Sequence, residues 1–137
     1  MDPGSFAVTP IGKVVSTLTD REAAPRQGDE GSPEAWIDFE PAVADGLADL
    51  EVGTEVLVLT WLDRSRRDVL RTHPRNDLAA PQLGVFSTRS PDRPNPIGLH
   101  RVRILAIDGL RFRVGDLEAI DATPVIDVKP VLGPADR

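Results

Sequence analysis

LHRVRILAIDGLRFRV, residues 99–114, is the stretch on which the reading of the fold turns. His100, Val102, Ile104 and Ala106 are mostly apolar while Arg101 and Arg103 point the other way, and Phe112 and Val114 alternate with Arg111 and Arg113 in the same manner. A period of two marks a half-buried strand, because successive side chains leave a pleated backbone on opposite faces. Between the two runs stands Asp108-Gly109, a pair favoured in two-residue hairpin turns, so the runs are expected to be antiparallel neighbours.

Outward from this hairpin, five further segments are rich in β-branched or aromatic residues and bounded by Gly, Pro or Asp: IGKVVS (11–16), AWIDFE (35–40), TEVLVLTWL (54–62), LGVFS (83–87) and TPVIDV (123–128). TEVLVLTWL is nearly continuous apolar sequence, as a strand buried on both faces would be. The expected fold class is therefore mainly all-β: a small, closed or nearly closed antiparallel β-barrel of about seven strands, with long loops and little helix. Helix is expected at most in PAVADGLADL (41–50), interrupted by Gly46, and in an irregular turn over 63–73. The segments 17–34 and 71–82 read as long loops. Residues 1–10 read as an N-terminal tail whose MDPGSF opening is in part vector-derived, and residues 11–137 read as one domain with one core.

Composition narrows the chemistry. The 137 residues include no cysteine, which excludes disulfides, thiolate metal sites and a cysteine nucleophile, and His73 and His100 are the imidazoles of the chain. No metal is expected, and the two histidines read as a loop residue and a strand-surface residue. No apolar run approaches the ~20 residues of a membrane span, so a soluble, cytoplasmic protein is expected. Dinucleotide, P-loop and nucleophile-elbow glycine motifs are absent from the sequence.

The net charge of −6 hides an asymmetry. Met1 to Asp63 holds 3 basic against 13 acidic residues, Arg64 to Arg103 holds 9 against 3, and Ile104 to Arg137 holds 4 against 6. A basic middle thus sits inside an acidic chain, and Arg64, Arg66, Arg67 and Arg71 read either as phosphate contacts to an RNA or as a solvated face. Further along the same basic third comes RSPDRPNPIG (89–98), with three prolines in ten residues. Each proline removes a backbone donor and fixes φ, and the residues before Pro94 and Pro96 are pushed out of the helical region. Helix and central strand are both excluded. The remaining structure is a rigid extended loop on which Arg89, Arg93 and Asn95 lose little entropy on meeting a ligand.

The stretch GVFSTRSPDRPNPIGL (84–99), with PRQ (25–27) upstream and DLEAIDATPVIDVKP (116–130) downstream, resembles in order and spacing the TrmO/TsaA-like proteins, also called the YaeB-like family. The resemblance runs from about Ile11 to Pro130. It implies a small β-barrel that binds S-adenosylmethionine, dimerises, and methylates N6 of threonylcarbamoyladenosine at position 37 of tRNA. By position in the family pattern, Pro25, Arg26 and Gln27 form a loop over the cofactor. Leu62 and Asp63, Arg89 and Leu99, and the turn of Gly115, Asp116, Leu117 and Glu118 complete its pocket. Arg89 is placed to pair with the cofactor carboxylate, and Leu62, Leu99 and Leu117 to line the adenine. This chain has Asp63 where members often carry histidine, Ala122 in place of the glycine of D-G-T-P, and Val131 in place of a tyrosine.

Methyl transfer from a sulfonium is an in-line displacement in which the protein positions the acceptor and takes its proton. Asp127 is the first candidate for that carboxylate, with Lys129 two residues on and hence on the same strand face, and Asp121 is a weaker one. A structural ion pair between Asp127 and Lys129 is the competing reading. A small-molecule acceptor, or a regulatory binder of the cofactor without catalysis, also remains open.

Overall fold

A computed structural model of the chain describes residues 3–18, 34–74 and 77–133. Eight strands occur in it: β1 Gly12–Val15, β2 Ala35–Phe39, β3 Glu55–Trp61, β4 Arg71–Thr72, β5 Leu83–Gly84, β6 Ile97–Asp108, β7 Arg111–Gly115 and β8 Pro124–Pro130. Six of them close into a barrel in the order β1-β2-β7-β6-β3-β8, and β4 and β5 form a separate two-stranded hairpin. Every pairing is antiparallel. The all-β class and the barrel expected from the sequence are both present.

The period of two in the sequence sets the barrel's inside and outside. Along β6, Gly98, His100, Val102 and Ile104 are buried while Leu99, Arg101 and Arg103 are exposed. Inward residues of all walls meet in one core that includes Val14, Ile37, Val58, Val102, Ile104, Phe112, Val114 and Val125. Phe39 and Phe112 meet edge to face with ring centroids 5.1 Å apart, a geometry that adds about 0.5–1.5 kcal/mol to simple burial. Outside, exposed arginines pair with acids on neighbouring strands: Arg101 with Glu55 at 3.0 Å and Arg111 with Asp38 at 2.7 Å. A 3-10 helix, Pro41–Leu47, starts at a proline whose fixed φ suits a helical first turn, and packs Val43 and Leu47 against the core.

Three local expectations are corrected. LGVFS is not a barrel strand: Leu83 and Gly84 pair with Thr72 and Arg71, and a 3-10 turn, Val85–Ser87, follows. TEVLVLTWL is buried on one face only, with Val56, Val58 and Thr60 inside and Leu57, Leu59 and Trp61 half-buried outside. The β6–β7 turn comprises Gly109 and Leu110, one residue later than Asp108-Gly109, because Asp108 still pairs with Arg111. Gly109 takes φ 58 at the first central position, the geometry that glycine supplies most cheaply.

Candidate functional site

The proline loop lies beside the end of β3, and the segment after β3 straps it down. Leu62 N–H donates to the Pro96 carbonyl at 2.8 Å, and Arg93 N–H to the Arg66 carbonyl at 3.0 Å. Arg66 N–H donates to Asp92 Oδ1 at 2.9 Å. Arg67 completes the strap: Nε donates to the Pro94 carbonyl at 2.7 Å, Nη2 to Asn95 Oδ1 at 3.0 Å, and the guanidinium lies 5.2 Å from the Trp61 ring centroid. Residues 64–67 and the proline loop, 26 to 28 positions apart at these bonds, are thus in physical contact. Because prolines cannot donate, side chains and the neighbouring segment supply the hydrogen bonds that a ladder would have given.

The arginines divide by what they already hold. Arg93 donates to the carbonyls of Val85, Thr88 and Ser90 and so pins the start of its own loop. Arg66 forms a two-bond fork with Asp68, each bond 3.0 Å, which holds the exposed Asp68 carboxyl below the usual aspartate value. Arg71 reaches the Gln82 carbonyl at 3.2 Å, and Arg64 also has a partner. Arg89 differs from these: it is exposed and makes no hydrogen bond or ion pair among the described residues.

The leucines expected around a cofactor do not share one face: Leu62 is half-buried, with Cδ2 3.3 Å from where a Cβ on the inward-facing Gly98 would stand, while Leu99 is 44% exposed on the outer face of β6. Asp63 is exposed directly after Leu62. Leu117 is fully buried in the barrel core, away from any outer surface. Beyond Gly115, Asp116 takes φ 65, a left-handed conformation that Asp tolerates better than most residues, and turns the chain out of β7. Glu118 then sends Oε1 to within 2.9 Å of His100 Nδ1. Pro25, Arg26 and Gln27 lie outside the described residues.

Asp127 and Lys129 stand on the outer face of β8. Asp127 is opposite Leu59, which in turn is opposite Leu99, so two strand spacings, about 10 Å, separate Asp127 from Leu99 across β3. Both carboxylate oxygens are engaged, Oδ1 by the Val128 N–H at 2.9 Å and Oδ2 by Lys129 Nζ at 3.0 Å. The pair borders a groove of about 400 Å³ lined also by Ile11, Val43, Leu47 and Leu50. Asp121 ties two segments together, since its Oδ1 accepts from Ser16 N–H at 3.0 Å. No cluster of His, Asp and Glu able to hold a metal occurs among the described residues.

His100 departs from its expected place on the strand surface. It is 5% exposed inside the barrel, with Nε2 2.8 Å from Thr60 Oγ1. Its phase with Val102 and Ile104 carried that signal, and its polarity obscured it.

The described residues thus present an exposed arginine without a partner among them, on a proline-rich loop strapped to the end of β3 in a six-stranded barrel. Residues 13–137 match the tRNA-methyltransferase O N-terminal domain, and the chain belongs to that family. An S-adenosyl-L-methionine-binding protein of Archaeoglobus fulgidus is 43% identical over 120 residues, covering 88% of this chain and 85% of its own. A probable S-adenosyl-L-methionine-binding protein of Methanothermobacter thermautotrophicus is 43% identical, covering 95% of this chain and 93% of its own. The crystal structure of TrmO from Pseudomonas aeruginosa superposes with a TM-score of 0.75 at 29% identity over 96% of this chain. The chain spans 58% of that protein and 32% of a second, longer A. fulgidus relative. No helix among the described residues is long and apolar enough to cross a membrane.

Proposed function

We propose that this domain binds S-adenosylmethionine and transfers its methyl group to tRNA, the acceptor being N6 of threonylcarbamoyladenosine at position 37. Family membership over residues 13–137 and relatives named for cofactor binding support the cofactor class. The single observation that carries the reading within this chain is Arg89, an exposed cation without a partner among the described residues, where its neighbours Arg66, Arg67, Arg71 and Arg93 are engaged.

The residues present fit the group. Arg89 offers a fork to a carboxylate, a charge-assisted contact of about 1.5–3 kcal/mol when water is kept away. Leu62 and Leu99 are proposed to offer apolar contact to a purine face, and Pro25, Arg26, Gln27, Asp63, Gly115, Asp116 and Glu118 are proposed as further cofactor contacts. Bound S-adenosylmethionine would supply an electrophilic methyl on a sulfonium, with a neutral thioether as its leaving group and a proton to be lost from the acceptor nitrogen. The protein's part is to align the acceptor and receive that proton. Asp127, with Lys129 beside it, is the carboxylate proposed for this role, about two strands from Leu99. Arg64, Arg66, Arg67, Arg71, Arg93 and Asn95 form the RNA-facing side, and Arg93 and Asn95 act by stiffening the loop.

The chain is further proposed to work as a cytoplasmic homodimer. Supporting this, Leu70, Leu78 and Phe86 are 63%, 80% and 78% exposed, and a second copy would give these large apolar side chains something to pack against. A second reading is favoured by one observation: with both Asp127 oxygens engaged, the domain binds the cofactor without transferring its methyl group. Labelled S-adenosylmethionine with bulk tRNA, with and without prior threonylcarbamoylation, tests the two. Label entering only the threonylcarbamoylated tRNA supports transfer at that base. Cofactor binding without label in any tRNA supports the second reading.

A further inference from the structure

Thr60, His100 and Glu118 form a chain of hydrogen bonds through one end of the barrel. Thr60 on β3 is fully buried and holds its Oγ1 2.8 Å from His100 Nε2. His100 on β6 holds Nδ1 2.9 Å from Oε1 of Glu118, whose side chain is 15% exposed. The inward walls below them are aliphatic, with Val56, Val58, Val102 and Ile104 on the same two strands. Apolar residues of similar volume would fill this end without any polar cost, and a buried polar cluster is often no more stabilising than such a replacement. Yet both imidazole nitrogens have partners here. Making room for them also requires Gly98, since a Cβ there would stand 2.7 Å from His100 Nε2 and closer still to the Thr60 hydroxyl.

What the three side chains have in common is where their backbones lead. Two residues after Thr60 comes Leu62, and immediately before His100 comes Leu99. Glu118 belongs to the irregular segment after β7, which opens on the left-handed Asp116 and has no strand partner. These are the three described segments, besides the proline loop, that contribute to the proposed cofactor pocket. We infer that His100 is a positioning residue: from inside the barrel it fixes the 115–118 turn against the ends of β3 and β6, and so sets the width of the cofactor pocket outside. The inference rests on the cofactor reading above. Its chemistry holds for either charge state of the ring. With the proton on Nδ1, the neutral ring donates to Glu118 and accepts from the Thr60 hydroxyl, and the doubly protonated ring donates to both.

Two readouts on the full chain test it, calorimetric affinity for S-adenosylhomocysteine and amide hydrogen exchange over residues 115–120. His100→Leu fills the space without the bonds, and Thr60→Val keeps the shape of threonine without its hydroxyl. Both are expected to weaken affinity about tenfold, the equivalent of one lost buried hydrogen bond, and to speed exchange in the turn while the near-UV circular dichroism stays native. Thr60→Ser, which keeps the hydroxyl, is expected to restore affinity to within about threefold of the parent. Unchanged affinity and exchange in a folded His100→Leu protein overturn the inference. If that variant does not fold, the contrast between Thr60→Val and Thr60→Ser decides, and equal affinities in the two overturn it. Absence of binding by the parent protein would instead remove the cofactor reading, and exchange in the turn would still decide whether His100 holds it.

Discussion

Gly98 of β6 lies directly against the Thr60 side chain of β3, across the ladder that pairs the two residues. A side chain at position 98 would meet the Thr60 hydroxyl, the His100 ring and, at 3.3 Å, Leu62 Cδ2. The glycine that closes the proline loop is therefore fixed by the packing of the barrel interior. Gly98→Ala is expected to destabilise the domain by about 1–3 kcal/mol through overpacking, read as a lower urea midpoint at unchanged slope. An unchanged midpoint would mean that Thr60 and His100 can move aside freely.

Ala122 presents the opposite case, a side chain where the backbone favours none. It stands at φ 69, a left-handed conformation that costs a residue with a Cβ about 1–2 kcal/mol, at the position where the resembled pattern has glycine. Ala122→Gly is expected to stabilise the protein by about 0.5–1 kcal/mol, after subtracting the extra entropy glycine loses on folding, and thermal unfolding would read the gain. A loss of stability would show that the turn does not hold this conformation in solution.

Acid should loosen the outer arginine ladder. The Arg101 hydrogen bond holds the Glu55 carboxyl below its usual value, against a smaller opposing effect of desolvation. A group whose value is depressed on folding stabilises the fold above the ordinary glutamate range of ~4.3 and loses that contribution as pH falls through the depressed value. The thermal midpoint should therefore drop on acidification below that range, and Glu55→Gln should flatten the drop slightly, as expected for an exposed pair. An identical acid profile in the variant contradicts the assignment.

Binding of tRNA through the basic segment should depend steeply on salt. Replacing Arg64, Arg66, Arg67 and Arg71 with alanine is expected to flatten the dependence of log K on log salt by roughly 0.7–0.9 for each phosphate no longer neutralised. Arg66 gives up its fork with Asp68 and Arg67 its bonds to the proline loop if they turn to phosphate, so their shares should fall below that of a free arginine. Filter binding across a salt series measures the slope, and a parent protein whose tRNA binding ignores salt would move the acceptor to a small molecule.

The barrel could be read from the sequence because its walls obey a period of two. The alternation of LHRVRILAI and LRFRV set inside and outside correctly through Ile104, and three prolines in RSPDRPNPIG excluded helix and central strand. Two of the failures share a cause, since each depended on partners elsewhere in the sequence. LGVFS has strand composition but pairs with Arg71 and Thr72 outside the barrel. His100 is polar, yet Thr60 and Glu118, 40 and 18 residues away, satisfy it in the interior. The candidate site was legible as a motif, whereas the division of labour among its arginines was not. That Arg93 ties down its own loop while Arg89 has no partner among the described residues follows from the positions of carbonyls that no spacing rule encodes.

Titration calorimetry of S-adenosylmethionine into the metal-free protein, repeated with Arg89→Ala, tests the central claim most directly. The account predicts one saturable site in the parent and an affinity about tenfold or more weaker in the variant, as loss of a charge-assisted hydrogen bond requires. Equal affinity in the two proteins, or no binding in the parent, would contradict it.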